Sequence, residues 1–470
     1  MSHPHSNEHY KVDTRTDFLT HASHCTVVGA GRSGIAAALL AGELGFEVFV
    51  TESKLLDKAK LQACFSAQNI DFELGTHSER ALEADFAIVS PGIPPYAPII
   101  QRLLKQNIPI IGELEFAARY ALAPIVAITG TNGKTTTTAL TAHILRCAGF
   151  NAIACGNIGQ AFSDVVRQDR AGLPYRRVYV VEASSYQLSL TSTFHPQVAV
   201  ILNITPDHLD YHGTMEAYIQ AKWKIFQNQT ERDVLILCAD DPNAAGASRH
   251  TQAHVEWFGL SPVERGMYCR PDDGWLVFVS SNTEAKLMHH RDLPLRGWHN
   301  VYNSMAAALA ARAFEVTNEN IRDSILSFTG IEHRLEHVRT VRGVEYINDS
   351  KATNVNATWY ALTAFEQPII LLLGGRGEGN DYSLLDDLVR QKCRAIIAFG
   401  EEAPTIFNHF SIITRCIQVD SLASAVEHAS SIAEPGDVVL LSPACKSFDQ
   451  FINFEHRGTT FKELVYQLAE

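Results

Sequence analysis

Apolar and polar positions along the 470-residue chain fall into a recurring order: a short aliphatic run, a glycine-bearing turn, then a longer stretch with helical spacing. Three blocks carry it. The first opens with "HCTVVGAGRSGIAAALLAGELGFEVFVTES", which reads as strand, glycine loop, alanine-rich helix and a second strand ending at Glu52, and "FAIVSPGIPP" adds a strand closed by a Pro-Gly loop. From about Glu113 the runs "PIVAIT", "VYVVEAS", "QVAVILNI" and "DVLILCAD" alternate with helical stretches. From about Ile331 "GVEYIND", "PIILLLGG", "RAIIAFG", "CIQVD" and "DVVLLSPA" do the same. Strands alternating with helices predict an α/β protein whose sheets are mainly parallel and flanked by helices. The boundaries place a flexible N-terminal extension at 1–23 and domains at 24–113, 114–330 and 331–470.

Composition narrows the function. Hydrophobic content of 46% with 19% charged residues is that of a soluble globular protein. The formal net charge is −13 with no basic stripe, which excludes nucleic acid as a partner. The nine cysteines are odd in number and none is spaced C-x-x-C, so reduced thiols in a cytoplasmic protein are expected, without zinc or a disulfide framework. No apolar run approaches 18 residues and no signal peptide is evident, so no membrane association is expected.

Two glycine loops carry chemistry. Gly29-x-Gly31-x-x-Gly34 between a strand and a helix, with Glu52 about 20 residues on, is the pattern that seats a phosphate on a helix N-terminus and a ribose or base on an acid. Its alternative is a glycine turn chosen for tight strand–helix packing. "TGTNGKTTTT" is more specific, although Ile128 stands where a strict phosphate loop has its first glycine. Gly130 and Gly133, with Thr131 and Asn132 between them, let backbone amides turn inward; Lys134 can reach terminal phosphates, and Thr135, followed by Thr136, can hold Mg²⁺. Glu182, at the end of "VYVVE", is a carboxylate on the same strand edge and a second candidate for the metal. "NITPDHLDYHG" delivers Asp207, His208 and Asp210 to a loop, where His212 reads as a plain loop residue. Of Lys222 and Lys224 in "YIQAKWKIFQN" only one can face the site, because residues two apart on a helix diverge.

The shortened loop, with "GNIG", "EASSYQL", "LNITPDHLDYHG", "AKWKIF", "HNVYNSMAA", "HRLEHV", "NDSKATN" and "SPACKSFDQF", resembles the Mur ligases and folylpolyglutamate synthetases, ATP-dependent enzymes that join a carboxylate to an amine. The resemblance runs from about residue 24 to the end. It implies a Rossmann-like N-terminal domain for a UDP-linked substrate, a P-loop ATPase-like central domain and a Rossmann-like C-terminal domain for the incoming amino acid. The implied reaction adds D-glutamate to UDP-N-acetylmuramoyl-L-alanine through an acyl phosphate, with ATP, two Mg²⁺ sites and a CO₂-derived carbamate on Lys222, in a cytoplasmic monomer. By the same resemblance Lys134, His208, Lys222 and Lys351 are catalytic, and Thr135, Glu182, His208 and the Lys222 carbamate hold metal. Residues 130–136, Asn303, Arg334 and Asp349 contact ATP, which is expected between the second and third domains. Ser33, Glu52, Ser53, Lys54, Gly92 and Asn157 contact the UDP substrate; Thr353, Ser447, Phe448 and Phe454 contact the acceptor.

One departure concerns that acceptor. The family generally carries a lysine shortly after the "LLLGG" strand to hold a glutamate carboxylate, and Glu378 occupies its place. Lys446 stands in "SPACKSFDQF" where a small residue is usual, and is the candidate replacement cation. Another acceptor such as L-glutamate is therefore an alternative. A nicotinamide-dependent dehydrogenase would use only the first loop and leave Glu182 and "NDSKATN" unexplained, while an inactive scaffold would have no use for Lys134, Glu182, His208 and Lys222.

Overall fold

The computed structural model describes residues 18–280, 283–295, 297–377 and 379–469. Most of the expected extension, and Glu378, lie outside the described residues. Phe18–His21 forms one helical turn, and the Phe18 ring sits 5.8 Å from that of Phe86.

The first sheet holds β1 (His24–Val28), β2 (Glu47–Glu52), β3 (Asp71–Leu74), β4 (Phe86–Val89) and β5 (Ile110–Gly112) in the order β3-β2-β1-β4-β5, all parallel. The order reverses at β1, so the loops after β1 and β4 flank a crevice at the strands' C-terminal ends, where ligands of such sheets bind. The glycine fingerprint is a steric requirement there, since a Cβ on Gly34 would lie 1.9 Å from the carbonyl oxygen of Gly29.

The second sheet has nine strands: β6 (Ile125–Thr129), β7 (Asn151–Gly156), β8 (Arg177–Glu182), β9 (Val198–Ile201), β10 (Val234–Cys238), β11 (His254–Gly259), β12 (Gly266–Cys269), β13 (Trp275–Ser280) and β14 (Thr283–His289), ordered β14-β13-β12-β11-β10-β9-β6-β8-β7. The third comprises β15 (Glu336–Val341), β16 (Val344–Asn348), β17 (Ile369–Gly374), β18 (Cys393–Phe399), β19 (Arg415–Gln418) and β20 (Val438–Leu441), ordered β15-β16-β20-β17-β18-β19. Strands such as β6 and β17 are buried at every position, because helices cover both faces of a parallel sheet. Across the third sheet, Leu362, Phe365 and Ile406 pack on one face and Leu422, Phe461 and Val465 on the other.

The α/β architecture with mainly parallel sheets is the expected one. Two sheet edges differ from it. β12, β13 and β14 are joined antiparallel, as are β15 and β16. Antiparallel neighbours need only a tight turn, so these segments carry no intervening helix to announce them.

The chain divides into two compact units: one runs to Asp292 and takes in Val301–Leu326, the other consists of Leu293–Asn300 and the chain from Ser327. Among the described residues no helix is long and apolar enough to cross a membrane. All nine cysteines are free.

Candidate active site

In the first unit three strand ends meet where the second sheet changes direction, with β6 flanked by β8 and β9. The loop after β6 is stapled to the segment after β9. Thr131 N donates to Asn203 O (2.8 Å) and Asn132 N to Asn203 Oδ1 (2.8 Å), while Thr131 Oγ1 donates to Thr205 O (3.1 Å). Gly133 caps the helix Lys134–Cys147 with φ +85°, and a Cβ there would lie 2.3 Å from Asn303 Oδ1. Asn303, expected on the adenine side, is buried under the loop and accepts from Thr137 Oγ1 (3.2 Å). Thr136 faces the core, so its backbone amide in the helix's first turn is what it offers a phosphate, whereas Thr135 is only half-buried.

Two lysines converge on this loop. Lys134 Nζ donates to Gly130 O (2.9 Å) and Thr131 O (2.8 Å), and Lys222 Nζ donates to Gly130 O as well (2.8 Å). Lys222 is 1% exposed and lies over the Tyr218 ring. Burial, and next the nearby Lys134 charge, hold it well below the usual lysine range. Lys224 instead donates to Ser189 O and Thr191 O.

Glu182 closes β8 and is 2% exposed. Its Oε1 accepts from Asn157 Nδ2 (2.8 Å), while its Oε2 is buried without a hydrogen-bond partner. A buried carboxylate oxygen left unpaired costs free energy unless a ligand completes it, which suits a cation. Among the described residues no three His, Cys, Asp or Glu side chains form a ready-made metal cage. The unpaired Glu182 oxygen is a hard anionic donor that fits a metal ion. His208 adopts a left-handed conformation (φ +52°), with its half-exposed ring beside Asp207 (3.4 Å) and against Tyr186 (5.0 Å). His212 is not a plain loop residue. It ends the short helix Leu209–His212, contacts Ser185 Oγ at 2.9 Å and stacks on Tyr186.

The glycine loop of the first sheet reaches this region. Arg32 Nη2 donates to Asn157 O (3.1 Å), so the glycine loop after β1 and the Asn157–Glu182 pair are physically joined. Glu52 accepts from Ala30 N and Lys54 N (2.9 Å each). Burial alone would raise its pKa, but these bonds outweigh burial and lower it. Ser33 is half-buried, and Ser53, Lys54 and Gly92 are exposed at the same edge.

In the second unit the loops after β16, β20 and β17 are neighbours. Asp349 is buried and accepts from Ser442 Oγ (2.8 Å) and Leu335 N (3.2 Å). Burial drives its pKa up to about 7, against the opposing pull of Ser442 and Arg334. The ammonium of Lys351 lies 6.0 Å from the Phe454 ring, Thr353 N donates to Lys351 O, Ser447 is buried and Phe448 is exposed. Lys446 is bridged through its backbone to Arg376.

Sequence reasoning missed two organising residues. Asn203, in "LNIT", is the staple of the phosphate loop. Arg457 is fully buried and donates to Ser350 Oγ, Ser350 O, Cys445 O and Gly374 O, tying three loops together. The sequence signal was a lone arginine inside an otherwise ordinary amphipathic helix, which by itself reads as surface.

Comparisons with known proteins place the chain in a family. Family profiles match along the chain: the MurD N-terminal domain over residues 24–99, the Mur ligase middle domain over 128–311 and the Mur ligase glutamate ligase domain over 333–445. The UDP-N-acetylmuramoylalanine–D-glutamate ligase of Salinibacter ruber is 45% identical, covering 95% of this chain and 98% of that protein. The protein of the same name from Bacteroides thetaiotaomicron is 42% identical over 94% of this chain and 99% of its own length. Among solved structures, MurF from Acinetobacter baumannii superposes with a TM-score of 0.62 at 18% identity, covering 94% of this chain and 93% of that one. MurC from Thermotoga maritima gives 0.57 at 19%, covering 95% and 99%. These two likenesses concern the fold. On the profiles and the close relatives together, the chain belongs to the Mur ligase family, in the branch of the UDP-N-acetylmuramoylalanine–D-glutamate ligases.

Proposed function

We propose that this chain is an ATP-dependent ligase that joins D-glutamate to the alanyl carboxylate of UDP-N-acetylmuramoyl-L-alanine, a step in building peptidoglycan precursors. The observation that carries the reading is the pairing of a two-lysine phosphate loop with a buried, half-satisfied carboxylate at the same strand edge.

An amide cannot form from a carboxylate without a better leaving group. The substrate carboxylate attacks the γ-phosphorus of ATP, giving an acyl phosphate and ADP. The amine of D-glutamate then adds to the acyl carbon, and the tetrahedral intermediate expels phosphate. Enzymes accelerate both steps by positioning and by stabilising charge on oxygen. Amides of residues 130–136 would cradle the β- and γ-phosphates, with Lys134 leaving its two carbonyl partners to meet them. Mg²⁺, held by Thr135, Glu182 and His208, would draw charge from the phosphate oxygens. We infer carbamylation of Lys222: its burial against Gly130 and beside Lys134 disfavours the ammonium, and the neutral amine is the form that adds to CO₂ and releases a proton. The resulting carbamate would be a second anionic metal ligand.

From the second unit, Asp349 would take the ATP ribose, Arg334 the γ-phosphate with its fork of donors, and Lys351 the charge of phosphate or carboxylate. Thr353, Ser447, Phe448 and Phe454 would line the acceptor. Asn303 would act through the phosphate loop that it underpins. Ser33, Glu52, Ser53, Lys54, Gly92 and Asn157 would hold the UDP moiety. We further infer three functional domains, 24–113, 114–330 and 331–470, in a monomer acting in the cytoplasm.

The test is phosphate release from ATP with UDP-N-acetylmuramoyl-L-alanine and a panel of amino acids. Release that needs both UDP substrate and D-glutamate is expected. Release with L-glutamate in preference would reassign the acceptor, and none with any amino acid would overturn the ligase reading.

A further inference from the structure

The acceptor edge of the third sheet holds a cation that the assignments above leave unused. β17 leaves the sheet through Gly374 and Gly375, and the next residue, Arg376, pairs with Lys446 in the loop after β20. Arg376 N donates to Lys446 O (2.8 Å) and Lys446 N to Arg376 O (3.1 Å). In such a doubly bonded antiparallel pair, the two side chains leave the ribbon on the same side. The close approach depends on Gly375 (φ +131°), because a Cβ there would lie 2.3 Å from Lys446 O. Two cationic side chains are thus set next to each other beside the buried Ser447.

Arg376 already holds a carboxylate. Its Nε and Nη2 donate to the two oxygens of Glu401, in the loop after β18, at 2.9 and 2.8 Å. This is the fork geometry in which an arginine recognises a carboxylate. Both side chains are about half exposed, 50% and 54%. An ion pair so wetted contributes little net stability and exchanges at small cost. The family's lysine is absent from this loop, where position 378 is a glutamate; Arg376 is the cation the loop carries instead.

We propose that Arg376 determines acceptor specificity. Its guanidinium exchanges Glu401 for the side-chain carboxylate of a dicarboxylic amino acid, with Lys446 beside it as a second cation. The proposal rests on the ligase reading and deepens it by naming what holds the acceptor's distal charge.

The experiment is steady-state phosphate release at saturating ATP and UDP-N-acetylmuramoyl-L-alanine, varying D-glutamate or its neutral isostere D-glutamine. Arg376→Ala should raise the KM for D-glutamate by about tenfold to a hundredfold, the loss of one charge-assisted contact, and reduce the preference for D-glutamate over D-glutamine by a similar factor. The KM values for ATP and for the UDP substrate should stay within about twofold, and Arg376→Lys should recover part of the loss. Glu401→Ala separates recognition from a structural strut: if Glu401 only occupies the guanidinium, its removal should leave the KM for D-glutamate at or below the wild-type value. An unchanged KM in Arg376→Ala, with active wild-type enzyme, would overturn the proposal and leave the ligase reading intact. Equal impairment by Arg376→Ala and Glu401→Ala would make the pair a strut and also overturn it. Wild-type enzyme that releases phosphate with a diamino acid and not with D-glutamate would overturn the proposal and reassign the acceptor; wild-type enzyme that releases none with any amino acid would overturn the ligase reading itself.

Discussion

Replacing Arg457 by lysine keeps the charge and removes the fork, which makes it a sharp test of how the acceptor loops are held. Arg457 Nε donates to Ser350 Oγ and Nη2 to Ser350 O, both at 2.9 Å, while Nη1 reaches Cys445 O at 3.1 Å and Gly374 O at 3.4 Å. A lysine nitrogen is a single point at the end of its stem. It can serve the Ser350 side or the Cys445–Gly374 side, not both, so about two buried acceptors lose their donor. Each costs roughly 1–3 kcal/mol, for a total of about 2–6 kcal/mol. That is a large part of the roughly 5–15 kcal/mol that holds a domain folded, yet short of unfolding most domains. In a unit of this size it lowers the melting temperature by roughly 5–15 °C. The loops bearing Lys351, Thr353 and Lys446 then lose their common anchor. The KM for D-glutamate should rise about tenfold, while the UDP substrate, which we assign to the other unit, should bind as before. Calorimetry and acceptor kinetics on Arg457→Lys read both effects. A melting temperature within about 2 °C of wild type, with an unchanged KM, would refute the claim that this guanidinium organises the edge.

Lys134→Ala should abolish phosphate release while the UDP substrate still protects the protein against melting; loss of that protection would place the UDP moiety at the phosphate loop. Lys222→Ala should cost about 10²–10³-fold in rate, with acetate restoring part of it, and carbon-13-labelled bicarbonate should give a carbamate resonance in wild type that the variant lacks; wild-type rates in the variant would remove Lys222 from the site. Asp349 has a folded pKa of about 7 against about 3.9 unfolded, so the native state binds more protons between those values, and stability falls as pH rises through that window. Asp349→Asn should flatten that fall, by up to about 4 kcal/mol at pH 8, while weakening ATP binding; an unchanged slope of melting temperature against pH would mean the carboxyl is not the group titrating.

What the sequence made legible follows from what each signal depends on. β6 and β17 are legible because a strand buried on both faces is apolar at every position. Gly34 and Gly133 are legible because their backbones admit no Cβ, a constraint written in one residue type. The antiparallel edge from β12 to β14 was missed because hairpins need no crossover helix to announce them. Asn203 and Arg457 were missed for a different reason. Their meaning lies in partners 71 and 107 residues away, Asn132 and Ser350, and no local pattern marks an asparagine or an arginine as the centre of a network. The pairing of Arg376 with Lys446 is of the same kind, because register across a sheet edge is a tertiary fact. Lys222 lies between these cases. Helix geometry told that only one of the two lysines faces the site, the resemblance named Lys222, and the fold shows it buried against Gly130 while Lys224 turns to Ser189 and Thr191.

The central claim is that ATP activates the carboxylate of the UDP-linked substrate, and oxygen-18 tracing tests it most directly. UDP-N-acetylmuramoyl-L-alanine labelled in both carboxylate oxygens is incubated with ATP, Mg²⁺ and D-glutamate, and the released phosphate is weighed by mass spectrometry. An acyl phosphate requires one labelled oxygen to leave in each phosphate formed, with the other retained in the new amide. Phosphate carrying one label per turnover is the predicted result; unlabelled phosphate, released at the same rate as product, would contradict the account.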